Sequence, residues 1–234
     1  MARFATAACL TLLACFAMGA PSPAHADETV ILRSGQAAIG SNDPLVTRLD
    51  CPGCSDTYFP NPFTPGDFAA AASGPHAIVI ARNSLWIPQL SDPAAKWINN
   101  TGNQATGGTA LYAVPFHISL HFSAATLKLK WAVDNALGEQ PGLSPPCTSV
   151  NQRAGIYVNG SPVPGTAGVG GFDQEYAAQN LDIGSFMVVG DNVLYFYDYD
   201  CGSAGGIMFS ATIQTYVVTP SLPPSWGTLK LHYR

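Results

Sequence analysis

Leu127–Asn135 reads LKLKWAVDN, and its alternation decides the fold class. Leu127, Leu129, Trp131 and Val133 are interleaved with Lys128, Lys130, Ala132 and Asp134, the period of a strand with one buried and one wet face. Beyond a Pro-rich loop, Ala154–Gly160 (AGIYVNG) carries a second apolar run that ends in Asn-Gly, a turn dipeptide. The same pattern recurs outward from these two. Leu111–Phe122 sets Val114, Phe116, Ile118, Leu120 and Phe122 inward against outward His117, Ser119 and His121, and Ile207–Val218 carries Ile207, Phe209, Ala211 and Ile213 on one side. Glu28–Leu32, Ala77–Ala81, Phe186–Val188 and Asn192–Tyr199 add short apolar strands. Ser34–Ser73 is turn-rich, broken by Pro44, Pro52, Pro60, Pro62 and Pro65, and Gln174–Gln179 reads as one helical turn. About nine short strands with little helix predict an all-β chain built as an antiparallel β-sandwich.

The first residues read as an export signal. Arg3 supplies a positive charge, Phe4–Met18 an apolar stretch, and Ala24-His25-Ala26 a small-residue cleavage site before Asp27. The expected organisation is a signal peptide over 1–26, one sandwich domain over 27–218 and a tail over 219–234 that opens on Pro220–Pro224. Leu12-Leu13-Ala14-Cys15 offers a competing lipoprotein-like reading with a lipidated Cys15. No second hydrophobic run follows, so a membrane span is not expected and the mature chain reads as secreted, periplasmic or extracellular. Without Arg3, nine basic residues face fifteen acidic ones, and charged residues make up only 11% of the chain. Such a balance argues against nucleic acid and anionic membrane as partners, because neither would gain Coulomb attraction or counterion release.

Cys9 and Cys15 leave with the signal. Cys51, Cys54, Cys147 and Cys201 remain as an even set in an exported chain, which reads as two disulfides with three possible pairings. Cys51–Cys54 with Cys147–Cys201 is the favoured one. The second bridge would close a loop of more than fifty residues and stabilise by roughly 4 kcal/mol on the chain-entropy model. Cys51-Pro52-Gly53-Cys54 has the spacing of a thiol-oxidoreductase pair, but such pairs work at a helix N-terminus and aromatic, Pro-rich Tyr58–Pro65 follows instead. Reductant is expected to lower the melting temperature, with Cys147→Ser reproducing most of the loss. An unchanged melting temperature would contradict the long-loop bridge.

Catalytic signatures are missing. There is no Gly-x-Ser-x-Gly elbow, no His-Glu-x-x-His and no Gly-Lys-Ser/Thr phosphate loop. His117 and His121 sit about 13 Å apart along a strand, too far to share an ion, and read as solvent-facing. Carboxylates cluster as Asp173/Glu175/Asp182 and Asp198/Asp200. The second pair lies about 7 Å apart on one strand face, within the range of an inverting glycosidase. Nothing in the sequence supplies an apolar pocket to raise one pKa, so a non-enzyme is expected. No metal ligand set is assigned, and Ca²⁺ on loop carboxylates and carbonyls is the one cofactor left in play.

Aromatic residues carry the binding argument. Sugar rings stack their C–H faces on Trp and Tyr, while Asp, Asn and Arg hydrogen-bond the hydroxyls. Trp86, Tyr176 and Tyr199 lie beside Asn83, Asp198 and Asp200, and these six are the candidate ligand-binding residues. Trp131 and Trp97 read as core, and Asp134-Asn135 as a turn at a strand end.

The order of these signals resembles the galactose-binding-like jelly-roll modules of secreted bacterial proteins, the type found ahead of PEP-CTERM sorting tails. The residues that carry the resemblance are Asp56-Thr57-Tyr58, Ala95-Lys96-Trp97-Ile98, Trp131-Ala132-Val133-Asp134-Asn135, Tyr157-Val158-Asn159-Gly160 and Gly190-Asp191-Asn192-Val193-Leu194-Tyr195-Phe196, before the Gly205-Gly206 turn. It spans Glu28 to Val218. The four cysteines are additions to that pattern, and the sorting tail is missing. The resemblance implies an antiparallel jelly-roll sandwich that binds glycan through end loops. The expected function is a secreted, non-catalytic carbohydrate-binding-like module with a glycan or extracellular polysaccharide as partner. The alternative is a structural or adhesion protein without a small-ligand site. An aromatic-lined groove separates the first from the second.

Overall fold

Strands dominate because β-branched and aromatic residues alternate with polar ones through most of the chain, and each strand completes its backbone hydrogen bonds only by pairing. A computed structural model describes residues 27–51, 58–142, 149–202 and 204–217. Its elements run in order β1 (Thr29–Arg33), β2 (Asn42–Asp50), α1 (Pro65–Ala72), β3 (His76–Val79), β4 (Ile98–Asn99), β5 (Ala110–Ile118) and β6 (Ala124–Val133). There follow β7 (Ala136–Leu137), β8 (Ile156–Val158), β9 (Ser161–Pro162), β10 (Tyr176–Asp182), a 3₁₀ turn (Gly184–Phe186), β11 (Gly190–Tyr199) and β12 (Ile207–Tyr216). The strands join edge to edge in the order β10-β6-β12-β4-β3-β2-β5-β11-β8-β9, with β1 added to β12 and β7 to β11. Every pairing is antiparallel.

The sheet curls back on itself. β11 and β12 are not hydrogen-bonded neighbours, yet Phe196 of β11 stacks on Phe209 of β12 with ring centroids 4.1 Å apart. Two halves therefore face each other, one built on β6 and β12 and the other on β5 and β11. Leu127, Leu129 and Trp131 fill the interior from the first half, and Val114, Phe116, Ile118 and Leu194 from the second. Two smaller apolar clusters lie outside this core. One gathers Phe59, Phe68, Leu111, Tyr157, Tyr195 and Tyr197 beneath α1, and the other joins Trp86, Leu90, Trp97, Ala132 and Met208.

Several sequence expectations are corrected here. Among the described residues twelve strands stand against the expected nine or so, because β4, β7 and β9 are two-residue pairings too short to leave a periodic signal. The turn-rich Ser34–Ser73 contains both β2 and α1. Pro44 is tolerated inside β2 because it falls between the registered pairs Asn42↔Ile78 and Thr47↔His76, where pairing with β3 is irregular. Gln174–Gln179 enters a strand, β10, and makes no helical turn. Phe186 closes the 3₁₀ turn and opens no strand. The alternation through Leu111–Phe122 stops at Ile118, and Leu120 is 42% exposed. There the Glu28 carboxylate accepts hydrogen bonds from the Ser119 and Leu120 N–H groups and turns the chain away.

Cys51 and Cys201 are both disulfide-bonded, and both border the cluster beneath α1. Cys54 and Cys147 lie outside the described residues, as do residues 1–26, Cys15 among them, and 218–234. Among the described residues no helix is long and apolar enough to cross a membrane.

Candidate functional sites: a buried acid cluster and an aromatic groove

The six residues expected to bind ligand do not line one open site. Trp86 is 3% exposed: its ring tilts over Trp97 at 4.3 Å and its indole N–H donates to Asp134 Oδ1 at 2.7 Å. Asn83 shapes the turn ahead of it, accepting from the Leu85 N–H through its side chain and from the Trp86 N–H through its carbonyl. Tyr176 stacks on Trp131 at 5.8 Å and packs against the interior cluster from edge strand β10. Asp198, Tyr199 and Asp200, at the end of β11, are buried. Period two explains why: Leu194, Phe196 and Asp198 point into the core, while Tyr195, Tyr197 and Tyr199 face the cluster under α1.

Asp134, Asp198 and Asp200 form a buried acid cluster at this end of the sheet. Burial, and then the nearby Asp200 and Asp134, push the Asp198 carboxyl far above the usual carboxylate range. Neither Asp198 oxygen has a hydrogen-bond partner among the described residues. Burial likewise raises Asp200 to about 7, opposed by the Gly202 and Cys201 N–H groups and reinforced by Asp134. Asp134 is raised by burial, against the indole hydrogen bond. Gly205 lies so close that a Cβ there would sit 2.3 Å from Asp200 Oδ2. The expectation that no apolar environment would raise these carboxyls is therefore corrected: the aromatic interior supplies one. Sequence reading placed Asp134 in a turn and missed its hydrogen bond to Trp86, which joins residues 48 positions apart. Among the described residues no three His, Cys, Asp or Glu side chains are arranged to hold a metal ion.

An open aromatic groove lies on another part of the surface. Thr64 caps α1 through a capping box: its hydroxyl accepts from the Asp67 N–H, while Asp67 accepts from the Thr64 N–H at 2.7 Å. Pro65 fixes the first helical position. Phe63 and Phe68 flank the cap as a hydrophobic staple, ring centroids 5.7 Å apart. Opposite them is the β8–β9 hairpin, whose Asn159-Gly160 turn has φ values of 51° and 82°, the double left-handed turn that two-residue hairpins favour. Between α1 and the hairpin is a groove of about 450 Å³ lined by Phe63, Phe68 and Tyr195 with Pro65, Asn159 and Ser161. Arg153 sits 5.9 Å from the Phe63 ring centroid and pairs with buried Glu139, which accepts from the Tyr197 hydroxyl at 2.5 Å. Burial raises Tyr195 and takes Tyr157 to about 12, so both phenols are neutral donors near neutral pH.

Neither a family model nor a curated protein matches the chain.

The groove was legible only in part. Asn159-Gly160 announced its hairpin, whereas Thr64-Pro65-Gly66-Asp67, the signature of the helix start, sat in a segment whose prolines argued for turns.

Proposed function

We propose that this chain is a secreted, non-catalytic glycan-binding module of jelly-roll type, exported by its first 26 residues and stapled by Cys51–Cys54 and Cys147–Cys201. Support for the binding reading comes from the groove between α1 and the β8–β9 hairpin. It combines three aromatic rings with the hydroxyls of Ser161 and Tyr195 in about 450 Å³, a size and composition suited to a small ring-bearing ligand. Rings offer the apolar surface on which the C–H face of a sugar stacks, and hydroxyls orient it. That groove favours the glycan reading over the adhesion alternative. The site moves accordingly, from the Trp86 and Asp198–Asp200 region to Phe63, Phe68, Tyr195 and Ser161.

Calorimetry of the full chain against a panel of neutral oligosaccharides should find at least one ligand. Phe63→Ala should weaken it about tenfold, the loss of roughly 1.4 kcal/mol of stacking. Because Phe63 also packs on Phe59 and Tyr197, Ser161→Arg serves as companion: it fills the groove without removing a ring. Heat absent across the panel, or binding untouched by both variants, would refute the assignment.

A further inference from the structure

The outer face of the β6–β12 half carries a second, chemically different surface. Antiparallel registration builds two rows across neighbouring strands. Arg33, Ser210 and Lys130 form one, from β1 through β12 to β6, and Ile31, Thr212 and Lys128 form the other. Beyond Lys128, edge strand β10 is irregular: its pairing shifts between Ala178 and Leu181, and Asn180 has φ 55°. A bulge of this kind re-aims side chains, and Gln179 lines the same groove, of about 390 Å³, as Arg33, Lys128, Lys130 and Thr212.

This groove holds positive charge on an otherwise acidic chain of net charge −5. Of the seven Lys and Arg among the described residues, three line it. Asp92 neutralises one of them, binding Arg33 Nε at 2.6 Å and accepting from the Ser210 hydroxyl at 2.7 Å. Burial works to raise Asp92, but those two bonds and the Ala94 N–H outweigh it and hold the carboxyl ionised. Lys130 donates to an uncharged partner, the Ser91 hydroxyl, at 2.6 Å, and that same hydroxyl donates to Glu175. Lys128 is exposed and forms no ion pair among the described residues. Two cations thus remain uncompensated by an ion pair, two residues apart on one strand face, or about 7 Å.

We propose that this groove binds an acidic polysaccharide, a chain bearing carboxylate or sulfate groups. Lys128 and Lys130 pair with its anionic groups, while Gln179 and Thr212 hydrogen-bond its hydroxyls. Two lysines on one strand face, rather than a dense basic patch, suit a polymer that carries charge about once per sugar or less. A nucleic acid is disfavoured because two lysines on a chain of net charge −5 offer it little counterion release. Three of the four recognising side chains come from central strands β6 and β12, so the surface is held by the sheet itself. It lies on the other half of the sheet from the aromatic groove and stands or falls independently of that assignment.

Binding of the full chain to polygalacturonate and to chondroitin sulfate, with neutral dextran and a single-stranded oligonucleotide as comparisons, tests the proposal. Affinity for at least one acidic glycan should fall steeply with added salt and drop at least about tenfold in the double variant Lys128→Glu/Lys130→Glu. The double variant Arg82→Glu/Lys96→Glu, which makes the same charge change outside the groove, should keep most of the affinity. Phe63→Ala should leave acidic-glycan binding unchanged. Circular dichroism and melting temperature verify that the variants fold. No binding to either acidic glycan, equal losses in the two charge-reversal variants, or equal affinity for the oligonucleotide would overturn it.

Discussion

Raising the pH from about 5 to about 8 should lower the melting temperature by on the order of 10 °C, and Asp200→Asn should remove part of that fall. Asp200 has its pKa raised to about 7 by burial, against about 3.9 in an unfolded chain. Below the unfolded value both states hold the proton and the group is neutral in its effect. Between the two values the folded state keeps the proton that the unfolded state has lost, so stability declines as pH rises. Above about 7 the decline levels off. The whole shift amounts to roughly 4 kcal/mol as an upper figure, of which roughly 3 kcal/mol falls between pH 5 and 8. Asp198, also raised by burial and without a hydrogen-bond partner among the described residues, acts in the same direction. Asp92 is held below its usual value, so its contribution is lost only on acidification and lies outside this window. The amide introduced by Asp200→Asn keeps an oxygen to accept from the Gly202 N–H, as Asp200 Oδ1 does at 3.0 Å, and never ionises. Thermal melts across the range decide the matter. A parent protein equally stable at both ends, or an Asp200→Asn variant less stable than the parent at pH 8, would contradict the buried acid cluster.

Phe196→Ala and Phe209→Ala should each cost about 3–5 kcal/mol. Both rings are fully buried and stack at 4.1 Å with an interplanar angle of 20°. The two strands that carry them share no backbone hydrogen bonds, so the rings meet only because the sheet curls. A double-mutant cycle isolates that contact. Denaturant unfolding of parent, single and double variants should return a coupling of about 0.5–1.5 kcal/mol. Strict additivity would mean that the two halves do not face each other.

Strand character was legible wherever burial is one-sided. Lys128 and Lys130 on β6 mark the wet face so clearly that Leu127, Leu129 and Trp131 could be assigned to the core without coordinates. β12 was equally plain, with Phe209, Ala211 and Ile213 all fully buried. Legibility failed where both faces of a strand are covered. Tyr195, Tyr197 and Tyr199 alternate with Leu194, Phe196 and Asp198, and no hydropathy pattern tells that α1 covers the tyrosine side while the core covers the other. Aromatics beside carboxylates, as at Asp198–Asp200, look the same in sequence whether they rim a binding loop or plug the end of a core. Trp86 shows the same ambiguity, because the group that satisfies its indole, Asp134, is distant in sequence. The groove of Phe63 and Tyr195 needed tertiary contact between a helix start and a hairpin more than ninety residues away, which local spacing does not encode.

Amide-detected NMR titration of the full chain with the best neutral oligosaccharide tests glycan recognition most directly. Shift changes are expected in Phe63–Ala69 and Asn159–Ser161, saturating with ligand, with the Trp86 and Asp200 signals unmoved. Changes centred on Asp134, Asp198 and Asp200 instead, or none at saturating sugar, would contradict the assignment of the aromatic groove.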